Sequence, residues 1–399
     1  MLKNLLIISS FFLLTACTVG PDYKKPEQKF TDDWVSTSNK NVTTQEIEIS
    51  WWKIFNDPLL NKYIEIGVKE NKNIHVSIAN LRRARAFRQE KVASFVPVIN
   101  FNNLSKVSES DLSKVKLFDS GFDSSWEIDI FGGNKRGVET ATALVGSAVE
   151  NYHDVLLSVI SNIARNYYEA RGAQQQIKIT QGNANLFKQT MKLIETRLQL
   201  GEANEFDFVR SKGEYQLTLS RIPNLEASMK SSIFALSILL GKPPEFLLSE
   251  MQVFKQFPKA PAKINIGLRA DILNRRPDVR KAERELAASV ADIGVETANL
   301  YPKFFLLGDI GSRARTFSDM LTIGSGKYWS LGGFVDWSIF QGGAIRARIK
   351  SKQAISDGFY ASYEQAILNA LFDAQTALER YQQEIETFEL LQTSVRPKK

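Results

Sequence analysis

The chain of 399 residues contains one cysteine, Cys17, and two histidines, His75 and His153. A single cysteine excludes an intrachain disulfide, and two histidines on separate predicted helices lack the spacing of a metal centre. Five scattered methionines provide no thioether path for a soft metal ion. No phosphate-binding loop, nucleophile elbow or zinc-protease motif occurs. Gly342-Gly343 follows a predicted strand, as nucleotide loops do, but without their remaining glycines it reads as a strand-to-helix turn. These absences call for no cofactor and argue against an enzyme, the improbable alternative being a lipid-anchored periplasmic hydrolase. Beyond Cys17 no apolar run reaches about 18 residues, so no spanning helix is expected and any membrane crossing must be made by strands.

What is present begins with the amino terminus. Lys3 supplies a positive charge, residues 5–14 form an apolar run broken only by Ser9 and Ser10, and Leu14-Thr15-Ala16-Cys17 follows. This is the pattern of a secretory signal, too short for a spanning helix. Leu-x-Ala-Cys resembles the bacterial lipobox, which makes Cys17 the expected lipidated first residue of the mature chain and residues 1–17 the signal peptide. An acyl anchor fixes a chain to a membrane face without spanning it. Thr18, where an aspartate would favour retention at the inner membrane, points to the outer membrane. The net charge of +7 and the cluster Arg82, Arg83, Arg85, Arg88 and Lys91 could suggest nucleic acid. The cluster lies on an amphipathic helix behind a secretion signal, without a nucleic-acid motif, and reads as a solvated or channel-facing helix face.

Self-comparison reveals a repeat. Residues 73–97 match 278–302 at an offset of 205, with Ile74 facing Val279, Leu81 facing Leu286, Ala86 facing Ala291 and Ala93 facing Ala298. Ile130-Phe131-Gly132-Gly133 matches Ile339-Phe340-Gln341-Gly342 at 209, and Tyr152 with the apolar positions after it matches Tyr363 at 211. Between Pro97 and Pro223 there is no proline. Leu144, Ala148, Val155, Leu156, Val159, Ile160, Ile163 and Tyr167 recur at helical steps within an uninterrupted pattern over 137–200, of coiled-coil length. Gly201 should end that helix, Asn204 should cap a returning helix over 205–240, and Gly241-Lys242-Pro243-Pro244 should stop it.

Between the helices the period becomes two. Trp126, Ile128 and Ile130 alternate with Glu127 and Asp129, and Trp329, Leu331, Val335, Trp337 and Ile339 alternate with Asp336. Hairpin partners are expected over 98–104 and 303–310. Alternation alone fits a soluble sandwich equally well; the export signal and anchor favour membrane strands, with the apolar set on lipid and Glu127, Asp129 and Asp336 toward a lumen. Two hairpins give four strands, fewer than the eight or so of a closed membrane barrel, so the barrel must be shared among copies.

The run Cys17-Thr18-Val19-Gly20-Pro21-Asp22-Tyr23-Lys24-Lys25-Pro26, Trp51-Trp52 with Phe55, Asp57-Pro58-Leu59-Leu60, Arg275-Arg276-Pro277-Asp278-Val279 with Ala282-Glu283, and Phe340-Gln341-Gly342-Gly343 are similar to the TolC-like outer-membrane factors of tripartite efflux systems, in their lipoprotein branch. The resemblance implies a mainly α fold with membrane β: a long α-helical coiled-coil barrel plus four transmembrane strands per protomer, two structural repeats and a trimeric shared β-barrel. It implies a homotrimer in outer-membrane lipid, docked to a periplasmic adaptor and an inner-membrane proton-driven transporter, exporting small molecules. The expected divisions are an extended segment over 18–60, a first repeat over 61–241 with its hairpin near 96–131, a linker over 242–265, and a second repeat over 266–399 with its hairpin near 303–340. The sequence departs from the family at its carboxyl end, where 36 residues follow Tyr363 against the 88 that separate Tyr152 from Leu240. A second expectation follows: a truncated, non-conducting lipoprotein in which Ser394 to Lys399 leave the helical pattern and Ile367, Leu371, Leu378 and Ile385 lack neighbours.

Overall fold

Asp57 starts the helical part of the chain: its carboxylate accepts from the N–H groups of Leu59 and Leu60, and Pro58 occupies the first helical position, where no N–H is needed. The helix so capped, α1 (Pro58–Glu70), leads into α2 (Lys72–Ala93) through Asn71. Asn71 is buried, accepts from the N–H groups of Asn73 and Ile74, and donates to the Leu239 carbonyl at 2.8 Å. The computed structural model describes residues 18–27, 42–43, 50–110, 113–257, 264–265, 273–322 and 326–395. Cys17 and the signal segment lie outside the described residues.

After α2 come β2 (Val98–Ser110) and β3 (Ser113–Ile128), then α3 (Gly133–Gln199), which runs 67 residues without a break. Gly201, at φ +79°, ends it in a backbone conformation that other residues resist. Asn204 accepts from the Asp207 N–H at 2.8 Å and caps α4 (Glu205–Leu239), which Gly241 at φ +69° terminates. These boundaries match the sequence reading closely, and α4 carries Pro223 inside it. A short helix, α5 (Leu248–Met251), precedes α6 (Pro277–Ala298), β5 (Lys303–Ala314), α7 (Phe317–Leu321), β6 (Lys327–Asp336) and α8 (Ala344–Val395). Two two-residue strands, β1 (Val42–Thr43) and β4 (Ile264–Asn265), pair in parallel. No single helix among the described residues is long and apolar enough to cross a membrane.

The residues divide into two compact units. One comprises Thr31–Ala79, Asn151–Ile272 and Gln375–Lys399. Its core joins Leu60, Tyr63 and Ile64 of α1, Val159, Ile163 and Tyr167 of α3, Ile233 and Leu236 of α4, and Leu247 and Met251. In the earlier part of α3, which belongs to the other unit, Leu144, placed by its spacing on the apolar face, is 37% exposed, and Ala141 and Ala143 are buried instead. There Ala143 packs against Ala287 and Ala288 of α6, a contact between small side chains. Arg171 is buried in the first unit, where it donates to Gln174 and to the carbonyls of Met251 and Val253 and lies over the Tyr167 ring. The Asp57 carboxylate and burial together push the Tyr167 hydroxyl, 2.6 Å away, up to about 12, burial being the larger cause.

The other unit comprises Met1–Phe30, Asn80–Glu150 and Leu273–Ala374 and contains the larger sheet. Its helical core is Val279 and Leu286 of α6 against Tyr363, Ile367, Ala370 and Leu371 of α8. Ile367 and Leu371 are thus buried, and Leu378 and Ile385 are half-buried rather than bare. Contrary to the expectation from its composition, Ser394-Val395 continues α8: the Thr393 and Ser394 hydroxyls turn back onto the Leu390 and Leu391 carbonyls, each at 2.7 Å. Hydroxyls that bond the preceding turn let polar residues remain helical.

Candidate functional site

The four-stranded sheet has the order β2-β3-β5-β6, antiparallel throughout. Its strands are 13, 16, 12 and 10 residues long, so β2 and β5 extend well past the expected 98–104 and 303–310. The missed ends, Ser105 to Ser110 and Gly311 to Ala314, are polar or small apart from Val107 and lack the apolar alternation that marked the rest. Register assigns each residue to a face, because side chains alternate and directly paired residues share a side.

One face carries Ile99 and Phe101 of β2, Phe122, Trp126 and Ile128 of β3, Phe304, Leu306 and Ile310 of β5, and Trp329, Leu331 and Val335 of β6. Trp329 is 76% and Leu331 69% exposed, values that water alone would penalise. The opposite face is a hydrogen-bonded polar array. Asp119 accepts from both Nε and Nη2 of Arg313, at 2.9 and 2.6 Å, and from the Tyr328 hydroxyl at 3.0 Å. Asp123 accepts from the amides of Asn100 and Asn102, and Asp309 from the Ser330 hydroxyl. Gly121 and Gly311, paired across β3 and β5, make room for the Tyr328 ring: a Cβ on Gly311 would stand 2.6 Å from its hydroxyl.

The sequence placed Glu127 and Asp336 on this polar side, and the register puts both there, beside the stacked rings of Phe305 and Phe334 at 4.8 Å. Asp119, Asp309 and Arg313 were missed. Their polar positions alternate with Phe118, Phe122 and Ile310, a signal hidden by the glycines around them. Four expected strand residues, Asp129, Ile130, Trp337 and Ile339, lie just past the ends of β3 and β6. Period two runs on through them, but the backbone turns. Asp129 accepts from the Lys135 N–H at 2.8 Å and so serves the start of α3. The Trp337 indole donates to the Leu300 carbonyl and that of Trp126 to the Phe95 carbonyl, both at 3.1 Å, so each indole serves a carbonyl just beyond the helix that feeds a hairpin.

Beside these turns runs residues 18–27, an extended strap. The Val19 N–H donates to the Phe131 carbonyl at 3.1 Å, and Lys135 Nζ to the Thr18 hydroxyl at 3.0 Å. Arg136, 2% exposed, gathers the segment by donating to the carbonyls of Val19 and Gly20 and to the Asp22 carboxylate at 2.7 Å. The Arg136 guanidinium holds the Asp22 carboxyl below the usual carboxylate range, first through the hydrogen bond and then through its charge. The passage fits only small residues: a Cβ on Gly20 would collide with Gly294 Cα, one on Gly294 would stand 2.8 Å from Arg136, and one on Gly132 2.9 Å from Thr18. Farther along, the Tyr23 hydroxyl donates to Glu283 of α6.

Sequence comparison matches the outer membrane efflux protein family over residues 67–242 and 268–397. The chain belongs to that family. It is 33% identical over 396 residues to nodulation protein T of Rhizobium leguminosarum bv. trifolii, a match that covers 96% of this chain and 83% of the relative. To the pyoverdine export outer membrane protein OpmQ of Pseudomonas aeruginosa it is 25% identical over 394 residues, covering 94% and 81%. Among solved structures, the outer-membrane channel OprN superposes with a TM-score of 0.88 at 33% identity, over 94% of this chain and 85% of that one. CusC, at 22% identity and a TM-score of 0.82 over 95% and 86%, shares the fold. As a member of a family of channels, the efflux protein is not an enzyme, and its place is the bacterial outer membrane. The alternative of a non-conducting remnant finds no support in these likenesses.

Proposed function

We propose that this chain is one protomer of a trimeric outer-membrane duct through which small molecules leave the periplasm, driven by an inner-membrane transporter and reached through a periplasmic adaptor. The observation that carries the reading is the sheet: one bare apolar face, one hydrogen-bonded polar face, and two edges, β2 and β6, that pair with no other strand among the described residues. In a bilayer each unpaired backbone group costs several kcal/mol, so an open edge must be closed, and further copies of the sheet are the simplest closure. Trp126, Ile128, Trp329, Leu331 and Val335 then meet lipid, with Ile130, Trp337 and Ile339 at the periplasmic rim. Glu127 and Asp336 line the lumen, and Asp129 stands at its edge.

Cys17 is the lipidated residue in this reading. A relative, the probable outer membrane lipoprotein SilC of Salmonella typhimurium, 25% identical, carries that description. Other relatives are a toluene and an antibiotic efflux pump component of Pseudomonas putida. Such diversity fits a duct that selects little while its transporter chooses the cargo. The test is export: in a strain lacking its own outer-membrane efflux component but retaining adaptor and transporter, expression of this chain should lower accumulation of a fluorescent pump substrate. Unchanged accumulation, with the protein present in the outer membrane and the adaptor bound, would overturn the proposal.

A further inference from the structure

The repeat and the sheet together specify how one copy meets the next. Resting on the shared-barrel reading above, we infer that β6 of one protomer pairs antiparallel with β2 of its neighbour in a single register, in which Val335 stands opposite the partner's Phe101.

A seam of the same kind is visible inside the chain. β3 and β5 belong to different repeats and pair with Phe122 opposite Ile310 and Trp126 opposite Leu306. The repeat carries β3 onto β6 with an offset of 209, from Ile130-Phe131 on Ile339-Phe340, and β5 onto β2 with an offset of 205, both strands beginning directly after a proline, Pro302 and Pro97. Applied to the internal seam, these offsets set Leu331 opposite the partner's Ser105, Trp329 opposite the partner's Val107 and Val335 opposite the partner's Phe101.

Three features of the chain agree with this register, none of which entered its construction. The apolar residues of β6 meet the face of β2 that carries Ile99 and Phe101, whereas a slip by one residue would put Trp329 and Val335 against polar positions. All ten residues of β6, Lys327 to Asp336, find a partner within β2, between Asn100 and Glu109. The offset of 211 seen farther along the helix would shift the pairing by two and leave Lys327 beyond the end of β2 at Ser110.

The third feature lies in the helices that feed the strands. Leu286, Ala291 and Ala298 of α6 are buried. Their repeat equivalents on α2 are half-buried Leu81 and exposed Ala86 and Ala93. The same residue types, covered in one copy of the repeat and bare in the other, mark a face that lacks its neighbour. Where α6 has the buried Ala287 and Ala288, α2 carries the exposed Arg82 and Arg83.

Cysteine pairs read the register directly, because a disulfide needs Cβ atoms about 3.5–4.5 Å apart, available to opposed residues and not to diagonal ones at about 7–8 Å. In outer-membrane preparations, with Val335→Cys held constant, oxidation should give a covalent trimer with Phe101→Cys and leave monomer with Ile99→Cys or Asn103→Cys. Leu331→Cys with Ser105→Cys tests the same register independently of Val335. Cross-linking strongest at Ile99 or Asn103 would overturn the register alone, as would an absence of cross-links in a protein that native mass spectrometry shows to be trimeric. A monomer by native mass spectrometry would overturn the shared barrel itself.

Discussion

At the scale of single residues, function here rests on which way a side chain points. Leu331 and Ser330 are neighbours near the middle of β6 on opposite faces of the sheet. If the apolar face meets lipid, Leu331→Arg should cost about 2 to 4 kcal/mol near the bilayer midplane, and Ser330→Arg, facing water, should cost little. Heat-modifiability on gels of the outer-membrane fraction would show it, and equal tolerance would point to a soluble sheet. The strap offers a second residue-scale test. Gly20 sits at φ +86° with no room for a Cβ, and Arg136 is the buried donor that holds the segment. Gly20→Ala and Arg136→Ala should therefore free the strap, speeding tryptic cleavage after Lys24 while the helical circular dichroism stays as in the parent. Unchanged cleavage would mean the clamp is dispensable. Little of this was legible beforehand: Val19-Gly20-Pro21-Asp22 could be recognised by resemblance, but its partner Arg136 lies more than a hundred residues away and nothing local singles it out.

At the scale of elements, the helices were legible because their signals are local. Gly201, Asn204 and Gly241 each act within a turn of the chain, and each stands where the sequence put it. Strand ends were less so, since period two continued through Asp129, Ile130, Trp337 and Ile339 after pairing had stopped, and pairing continued past Leu104 and Ile310 after the apolar alternation faded. What ends a strand is a partner's geometry, which one strand's sequence does not contain. The start of α6 gives a pH prediction. Arg276 grips Asp278 through Nε at 3.0 Å and Nη2 at 2.7 Å, and the carboxylate accepts from the Val279 N–H. Burial alone would raise the Asp278 pKa, yet the Arg276 hydrogen bond and charge, helped by that N–H, hold it below the usual range. A carboxyl lowered on folding stabilises above its unfolded value, and the contribution disappears as pH falls through the folded one. Asp278→Asn should thus lower the urea midpoint at pH 7, and the gap to the parent should close from about pH 4 downward. A gap independent of pH would assign the effect to packing.

At the scale of the whole molecule, the sequence anticipated the essential point by counting: two hairpins make four strands, and four strands do not enclose a membrane pore. The structure adds that the four form one sheet in the order β2-β3-β5-β6, so the two open edges belong to opposite ends of the repeat and suit closure by identical copies. It also adds a polar array of Asp119, Asp123, Asp309 and Arg313 on the side a lumen would occupy. The central claim is that this assembly is an open conduit requiring no chemistry of its own. Single-channel recording of the purified protein in planar bilayers tests it most directly: the account predicts discrete, long-lived conductance steps that are lost in Leu331→Arg, and a detergent-stable oligomer that inserts yet leaves the bilayer electrically silent would contradict it.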